Sequence, residues 1–389
     1  MISSSLETAN SVRAEGALEV GRHDARAAVT RSPGGAFIIE DISLEDPRDD
    51  EVLVRLVATG LCHTDLIARD QLYPVPQPIV LGHEGAGIVE KVGRAVHHLA
   101  PGDHVVLTFL ACGDCATCRV GAPAYCMNLF PLCFGGARAD GSSAVCDSSG
   151  EQLHGHFFGQ SSFSTLAIAN SRNVVKVHSD APLELLGPLG CGIQTGAGAV
   201  MNALRPTAGQ SLAVFGAGAV GLSAVMAARL VGCSPVIVID VNPARLSLAK
   251  DLGADVVINA AEADVIAEVR AESGGGADFT LEASGILSVL RQAIDSLGQR
   301  GTCGIVGAPP FGAEGSFDIT DLIVGGKSIR GIVEGDSVPQ EFIPQMVELY
   351  LNGLFPIDRL VKKYKLDEIN QAVTDAERGL VVKPVILLG

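Results

Sequence analysis

The rhythm of apolar residues changes near residue 211, and the change divides the chain. From about Ala25 to Thr108 they come in short runs such as EVLVRLVAT, GAGIVEKV and HVVLTF, separated by Gly and Pro with little helical periodicity. This stretch is predicted to be mainly β. From about Ser211 strand and helix patterns alternate: SLAVFGAG predicts a buried strand, VGLSAVMAARLVG a helix, and PVIVID a strand. NPARLSLAKDLG then predicts a helix with Asn242 as N-cap and Pro243 at its first position. DVVIN, a helix near 263–272, DFTLEASG, a helix near 286–297 and GTCGIVGA continue the series. Such alternation builds a doubly wound parallel sheet, so the fold class is α/β. After Ser328 come SIRGIV, the helical stretch VPQEFIPQMVELYLNG, in which Pro344 predicts a broken or late-starting helix, and the apolar strand KPVILLG. The chain therefore reads as a polar extension at 1–24, a discontinuous β-rich domain at 25–190 and 333–389, and a doubly wound domain at 191–332 between them.

Composition narrows the partners. The 389 residues include 4% aromatics and no tryptophan, which disfavours base-stacking platforms. A formal net charge of -16 argues against a phosphate backbone or an anionic membrane and leaves a small neutral substrate as the better fit. The N-terminal segment lacks the basic start and apolar core of a secretory signal, and no segment approaches the roughly 20 apolar residues of a membrane span. A cytoplasmic location is expected, where ten cysteines favour metal ligation over disulfides.

Cys112, Cys115, Cys118 and Cys126 lie in CGDCATCRVGAPAYC, a spacing that makes one tetrahedral zinc cage in a loop. Four sulfurs close the site, so its role is structural. A thioredoxin-like redox centre fits less well, because three overlapping pairs and a fourth cysteine lie outside any helix opening. Gly216, Gly218 and Gly221 form G-x-G-x-x-G between a buried strand and a helix, and Asp240 ends the next strand nineteen residues beyond Gly221. Glycines let backbone N–H groups approach a pyrophosphate at the helix N-terminus, and the carboxylate suits a ribose diol while repelling a 2′-phosphate. NAD is favoured over NADP. Cys62, His83 and Cys191 lie outside the four-cysteine loop, each flanked by glycine. Two thiolates and one imidazole would leave a fourth zinc position open, although spacing alone does not pick this trio.

The pieces GLCHTDL, GHEGAGIV, CGDCATC with its fourth cysteine, GPLGCGIQTG and VFGAGAVG resemble, in family order, the zinc-dependent medium-chain alcohol dehydrogenases, most closely their aryl (benzyl-type) branch. The resemblance spans about Ala25 to the C-terminus. It implies a GroES-like catalytic domain carrying a structural zinc lobe at about 110–128, a Rossmann domain, and an active site in the cleft between them. It also implies two zinc ions per chain, with Cys62, His83 and Cys191 as ligands of the reactive one. Glu84 corresponds to a carboxylate behind that metal, Asp65 to the acid that orients the ligating histidine, and Thr64 to the hydroxyl that meets the substrate alcohol. Thr195, Gly216, Gly218, Val220, Gly221, Asp240 and Arg245 correspond to cofactor-binding positions. His63 and, by a looser match, Lys383 fall where basic residues meet the cofactor pyrophosphate. Tyr73, Thr108, Phe109, Phe157 and Phe158 correspond to positions near the substrate pocket.

The implied reaction is reversible oxidation of a primary aromatic alcohol with hydride transfer to NAD, in a homodimer or homotetramer built partly on a sheet edge near 301–333. Ile67 stands where many relatives carry a relay histidine, a substitution shared by aryl-type members. Three other readings compete. They are a dehydrogenase of terpenoid allylic or aliphatic alcohols, a non-catalytic zinc- and nucleotide-binding protein, and a zinc-finger nucleic-acid binder that the charge disfavours. His97, His98, His104, His154 and His178 are read as structural, and Cys133, Cys146, Cys233 and Cys303 as small buried hydrophobes.

Overall fold

A computed structural model describes residues 21–389. Most of the expected N-terminal extension lies outside the described residues, but its last three belong to a strand. Arg22–Thr30 pairs antiparallel with Ile38–Glu45, with Arg22 opposite Glu45 and Asp24 opposite Ser43.

The first part is two antiparallel-rich sheets. One has five strands in the order Ile79–Val80, Arg22–Thr30, Ile38–Glu45, Val145–Asp147 and Gln152–Leu153. The other has seven: Val174–Lys176, His104–Leu107, Gly85–Val92, Glu51–Gly60, Lys383–Leu387 and Val361–Lys365 in order, with Leu166–Asn170 also on Glu51–Gly60. The C-terminal strand KPVIL thus returns to the first part, Ile386 opposite Thr59. Arg138 ties the two sheets by donating Nε and Nη2 to Glu51 (2.7 and 2.9 Å) and Nη1 to Glu45 (2.9 Å).

The second part is one parallel sheet of six strands in the order Val256–Asn259, Val236–Asp240, Leu212–Phe215, Ala277–Glu282, Leu297–Ile305 and Ser328–Gly331. Its central strands Leu212–Phe215 and Val236–Asp240 read as nearly unbroken apolar runs because both faces are covered. Leu212, Val214, Val236 and Val238 pack with Leu222, Val225 and Met226 of helix Ala219–Val231 on one side. The alternate residues Ala213, Phe215, Ile237 and Ile239 pack with Val265, Val269 and Ile294 on the other. Asn242 caps helix Pro243–Asp251 as expected, accepting from the N–H groups of Ala244 and Arg245.

Two expectations are corrected. Helix Pro339–Leu351 runs unbroken through Pro344. Pro339 supplies its first position, and Phe342, Ile343, Met346 and Val347 are buried around the proline, so packing outweighs one missing backbone bond. The second correction lies in the region expected to be β, where His63–Arg69 forms a helix. Its seven residues are too few to show a full amphipathic period.

Candidate metal centres and cofactor cleft

The short helix His63–Arg69 gathers the first site. Cys62 is its N-cap, and Asp65 at N3 reaches back with Oδ2 to accept the Cys62 N–H at 2.9 Å. The other oxygen, Oδ1, accepts from Gly82 N–H at 3.2 Å and lies 2.8 Å from His83 Nδ1. Asp65 and His83 are both fully buried. One carboxylate thus orients two donors, fixing the Cys62 backbone and placing the imidazole proton on Nδ1. His83 Nε2 is left as a buried atom with no partner in the protein. The burial that would lower the imidazole pKa is outweighed by this contact with Asp65, and the pKa is raised well above the ordinary value.

Cys191 reaches the same place from the start of helix Gly192–Gly198. One donor atom from each of Cys62, His83, Glu84 and Cys191 lies within 4.8 Å of the others. Cys62 is held well below the ordinary thiol range by hydrogen bonding with Cys191 and the charge of Lys383, and Cys191 is pushed up correspondingly. Two adjoining sulfurs, Cys191 buried and Cys62 half-buried, competing for one proton beside an unpartnered imidazole nitrogen are a donor set that a divalent ion satisfies better than protons do. Zinc fits.

Glu84 is fully buried and pushed up to about 7 by its burial, against the opposing charge of Lys383. Lys383 Nζ donates to Glu84 Oε1 at 2.7 Å and to the Leu61 carbonyl at 3.3 Å, and the residue is only 2% exposed. A buried lysine needs a partner for its charge, and Glu84 supplies one.

The second cluster is Cys112, Cys115, Cys118 and Cys126, again within 4.8 Å of one another. The Cys112–Cys118 and Cys115–Cys126 sulfurs are each 4.0 Å apart. A tetrahedron with metal–sulfur bonds of about 2.3 Å has edges of roughly 3.8 Å, so the loop is already near that shape. Backbone N–H groups of Cys112, Cys115, Met127 and Asn128 point at these sulfurs at 3.3–3.5 Å, as thiolates require.

Helix Gly192–Gly198 brings the reactive cluster against the glycine-rich turn. A Cβ at Gly196 would meet the Val220 carbonyl at 1.9 Å and Ser223 Oγ at 2.1 Å, and one at Gly192 would lie 3.5 Å from Glu84 Oε1 and 3.9 Å from Val220 Cγ2. At Gly196 only glycine allows this approach. Gly216 has φ +104°, and a Cβ at Gly221 would sit 1.8 Å from the Gly216 carbonyl. Gly218 has open space beyond its Cα and no side chain capping the helix that follows. Free N–H groups facing open space at a helix start fit a pyrophosphate. Asp240 accepts from Ala217 N–H at 2.7 Å and Asn242 N–H at 2.8 Å, which fixes its carboxylate at the strand end beside that turn. Arg245 Nε is buried without a partner, and Thr195 donates to Glu334 at 3.3 Å. Thr64 Oγ1 is 3.9 Å from Cys62 Sγ, and His63 is exposed.

The residues expected near the pocket divide. Phe158 lies over the His83 ring at 4.5 Å and Phe157 meets its edge at 5.6 Å. Tyr73 joins them through Phe134, at 5.8 Å. Thr108 is fully buried, and its hydroxyl donates to the Gly190 carbonyl and accepts from Gln194, so it serves the backbone under Cys191 rather than a ligand. Phe109 is buried and has no ring partner among the described residues.

Several residues were not found from sequence. Gln160 accepts from Gly85 N–H and donates to the carbonyls of His83 and Thr108, clamping the metal-ligand turn. Gln194 donates to the Gly190 carbonyl and the Thr108 hydroxyl, and Glu334, at φ +48°, faces it. Buried amides bridging distant backbone carry no sequence period.

Among the described residues no helix is long and apolar enough to cross a membrane. Residues 48–179 match the model of the alcohol dehydrogenase GroES-like domain, and residues 219–352 that of the zinc-binding dehydrogenases. The chain is 48% identical over 364 residues to geraniol dehydrogenase of Castellaniella defragrans, covering 93% of this chain and 97% of that protein. The crystal structure of an alcohol dehydrogenase zinc-binding domain protein from Burkholderia ambifaria superposes with a TM-score of 0.94 at 58% identity, covering 95% of this chain and all of that one. Benzyl alcohol dehydrogenase from Acinetobacter calcoaceticus superposes with a TM-score of 0.92 at 50% identity, covering 94% and 100%. With two zinc-type donor clusters, a dinucleotide turn packed against one of them and relatives matched almost end to end, the chain belongs to the zinc-dependent medium-chain alcohol dehydrogenases, oxidoreductases that use zinc and a nicotinamide cofactor.

Proposed function

We propose that the chain oxidises primary alcohols whose carbinol carbon is attached to an aromatic ring, with NAD as acceptor, and reduces the corresponding aldehydes. The observation that carries the reading is the convergence of Cys62, His83 and Cys191 beside a row of phenylalanine rings, one helix turn from the dinucleotide motif. Zinc held by these three residues would supply Lewis acidity toward the alcohol oxygen, and the nicotinamide ring would accept the hydride. The protein's own residues do the rest. Asp65 fixes the imidazole tautomer, and Gln160 and Gln194 hold the ligand turns. Phe157 and Phe158, both buried, keep water from the site. Thr64 Oγ1 receives the substrate hydroxyl's hydrogen bond and passes its proton outward. Ile67 is buried and has no titratable atom, so the exposed His63 at the start of the same helix is the relay to solvent. Asp240 disfavours a 2′-phosphate and supports NAD over NADP.

A second reading is supported by the relative named geraniol dehydrogenase: a terpenoid allylic alcohol, which also places an sp² carbon beside the carbinol. Growth of reduced-nicotinamide absorbance with benzyl alcohol, geraniol and hexan-1-ol, each with NAD and NADP, decides. Benzyl alcohol with NAD is expected to give the largest kcat/KM. Geraniol ahead of it selects the second reading, and hexan-1-ol ahead of both overturns the class. His63→Gln is expected to lower kcat roughly tenfold near pH 7 and to recover at higher pH, a profile unchanged from the parent excluding the histidine. We infer further that the chain is a homo-oligomer joined through the free edge of the parallel sheet.

A further inference from the structure

We propose that Phe311 is a specificity-determining residue. It closes the outer end of an aromatic passage to the metal cluster and selects substrates with a planar unsaturated group next to the carbinol. This rests on the alcohol dehydrogenase reading above and names the side chain that sets its substrate class.

The rings run without a gap from the metal ligand outward. Phe158 lies on His83, Phe157 and Phe158 are 5.0 Å apart, and Phe134 meets them edge-on at 5.5 and 5.2 Å. Phe130 stacks on Phe134 at 4.6 Å, Phe311 meets Phe130 at 5.5 Å, and Tyr73 stacks on Phe311 at 4.2 Å. Phe157 and Phe158 are buried and Phe134 is half-buried, whereas Phe130 is 43% and Phe311 59% exposed. A row serving the core alone has no need of two rings facing water at one end. The Tyr73–Phe311 stack also spans the two halves of the molecule. Tyr73 follows helix His63–Arg69, and Phe311 lies on the loop after strand Leu297–Ile305 of the parallel sheet. Tyr73 Oη donates to the Pro309 carbonyl at 3.0 Å, which holds that loop in place. An alcohol that reached the metal cluster from this side would have to part or slide along these contacting rings, and so would meet their faces and edges. Aromatic quadrupoles reward a flat π-system over a puckered saturated ring of equal size.

The test compares benzyl alcohol with cyclohexylmethanol, which share a six-membered ring and a carbinol but differ in ring electrons. Phe311→Leu should lower the ratio of their kcat/KM values about three- to tenfold. Its KM for NAD and its turnover of ethanol should stay unchanged, and Phe311→Tyr should restore the ratio. A ratio unchanged in the leucine variant overturns the proposal, as does an equal loss on both alcohols. A binding measurement stands apart from turnover. The chain has no tryptophan, so Phe311→Trp places a single emitter at the clasp. Benzyl alcohol is expected to shift or quench its emission at concentrations at least threefold below those cyclohexylmethanol needs. Equal or absent responses overturn the proposal. If the parent turns over no alcohol yet the emitter discriminates the two, the passage stands and the dehydrogenase reading fails instead.

Discussion

At the scale of single residues, His156 shows how burial turns a side chain into a pH sensor of stability. It is buried, adopts φ +57°, and accepts the Ala144 N–H on Nε2 at 3.2 Å. Burial, with Arg138 and Arg48 nearby, lowers its pKa to about 3. The unfolded chain takes up this proton near pH 6.5, the folded chain only near 3, so between those values the unfolded state binds more protons. Stability therefore falls as pH drops through that window, by at most about 1.4 kcal/mol per pH unit from this group. His156→Asn keeps a residue that tolerates the left-handed backbone. It should cost about 1–2 kcal/mol at pH 7 through a weakened bond to a buried N–H. Its deficit should shrink from pH 6.5 to 4.5 in urea titrations, and parallel curves for the two proteins would remove His156 from the pH response. No sequence pattern marks this histidine, because its environment comes from residues far along the chain. The same holds for Lys383, whose partner Glu84 is 299 positions away. Asp65 was legible through the resemblance alone, although a carboxylate three residues after a helix cap is also a short-range pattern.

At the scale of elements, legibility follows the range of the interaction. The parallel sheet was readable because its central strands are continuous apolar runs and helix Pro243–Asp251 carries its own cap. Helix Leu129–Phe134 was not, being six residues long and held by what precedes it. Leu129 N–H donates to the Cys126 carbonyl at 2.9 Å, and Asn128 N–H points at Cys126 Sγ. That helix carries Phe130 and Phe134, so the four-cysteine lobe supports the aromatic passage directly. Cys126→Ser should reduce bound zinc from about two to about one per chain by elemental analysis and open 112–134 to protease. It should also lower kcat/KM for benzyl alcohol more than for ethanol, since the ions' protein ligands at Cys62, His83 and Cys191 are untouched. Equal losses on both alcohols would mean that the lobe acts on global stability alone.

At the scale of the whole molecule, the parallel sheet ends on an edge with which no other strand pairs among the described residues. Strand Ser328–Gly331 pairs on one side with Leu297–Ile305 and presents its other row of N–H and C=O groups outward. Beside it, helix Ile319–Gly325 exposes Ile323 at 72% and Val324 at 74%, with Ile319 also exposed. An open edge flanked by apolar side chains is an aggregation hazard unless another strand pairs with it. A second copy related by a two-fold axis would supply that strand, joining two six-stranded sheets and burying both helices in one self-complementary contact. The net charge of -16 gives each chain a solubilising field, so association should depend on this edge rather than on charge. Light scattering at micromolar concentration should therefore return at least twice the chain mass. Ile323→Glu combined with Val324→Lys should return the single-chain mass while both zinc ions are retained, because neither residue is near the metal clusters. A parent protein that runs at single-chain mass, or a double variant that stays assembled, would mean that the edge is protected in some other way.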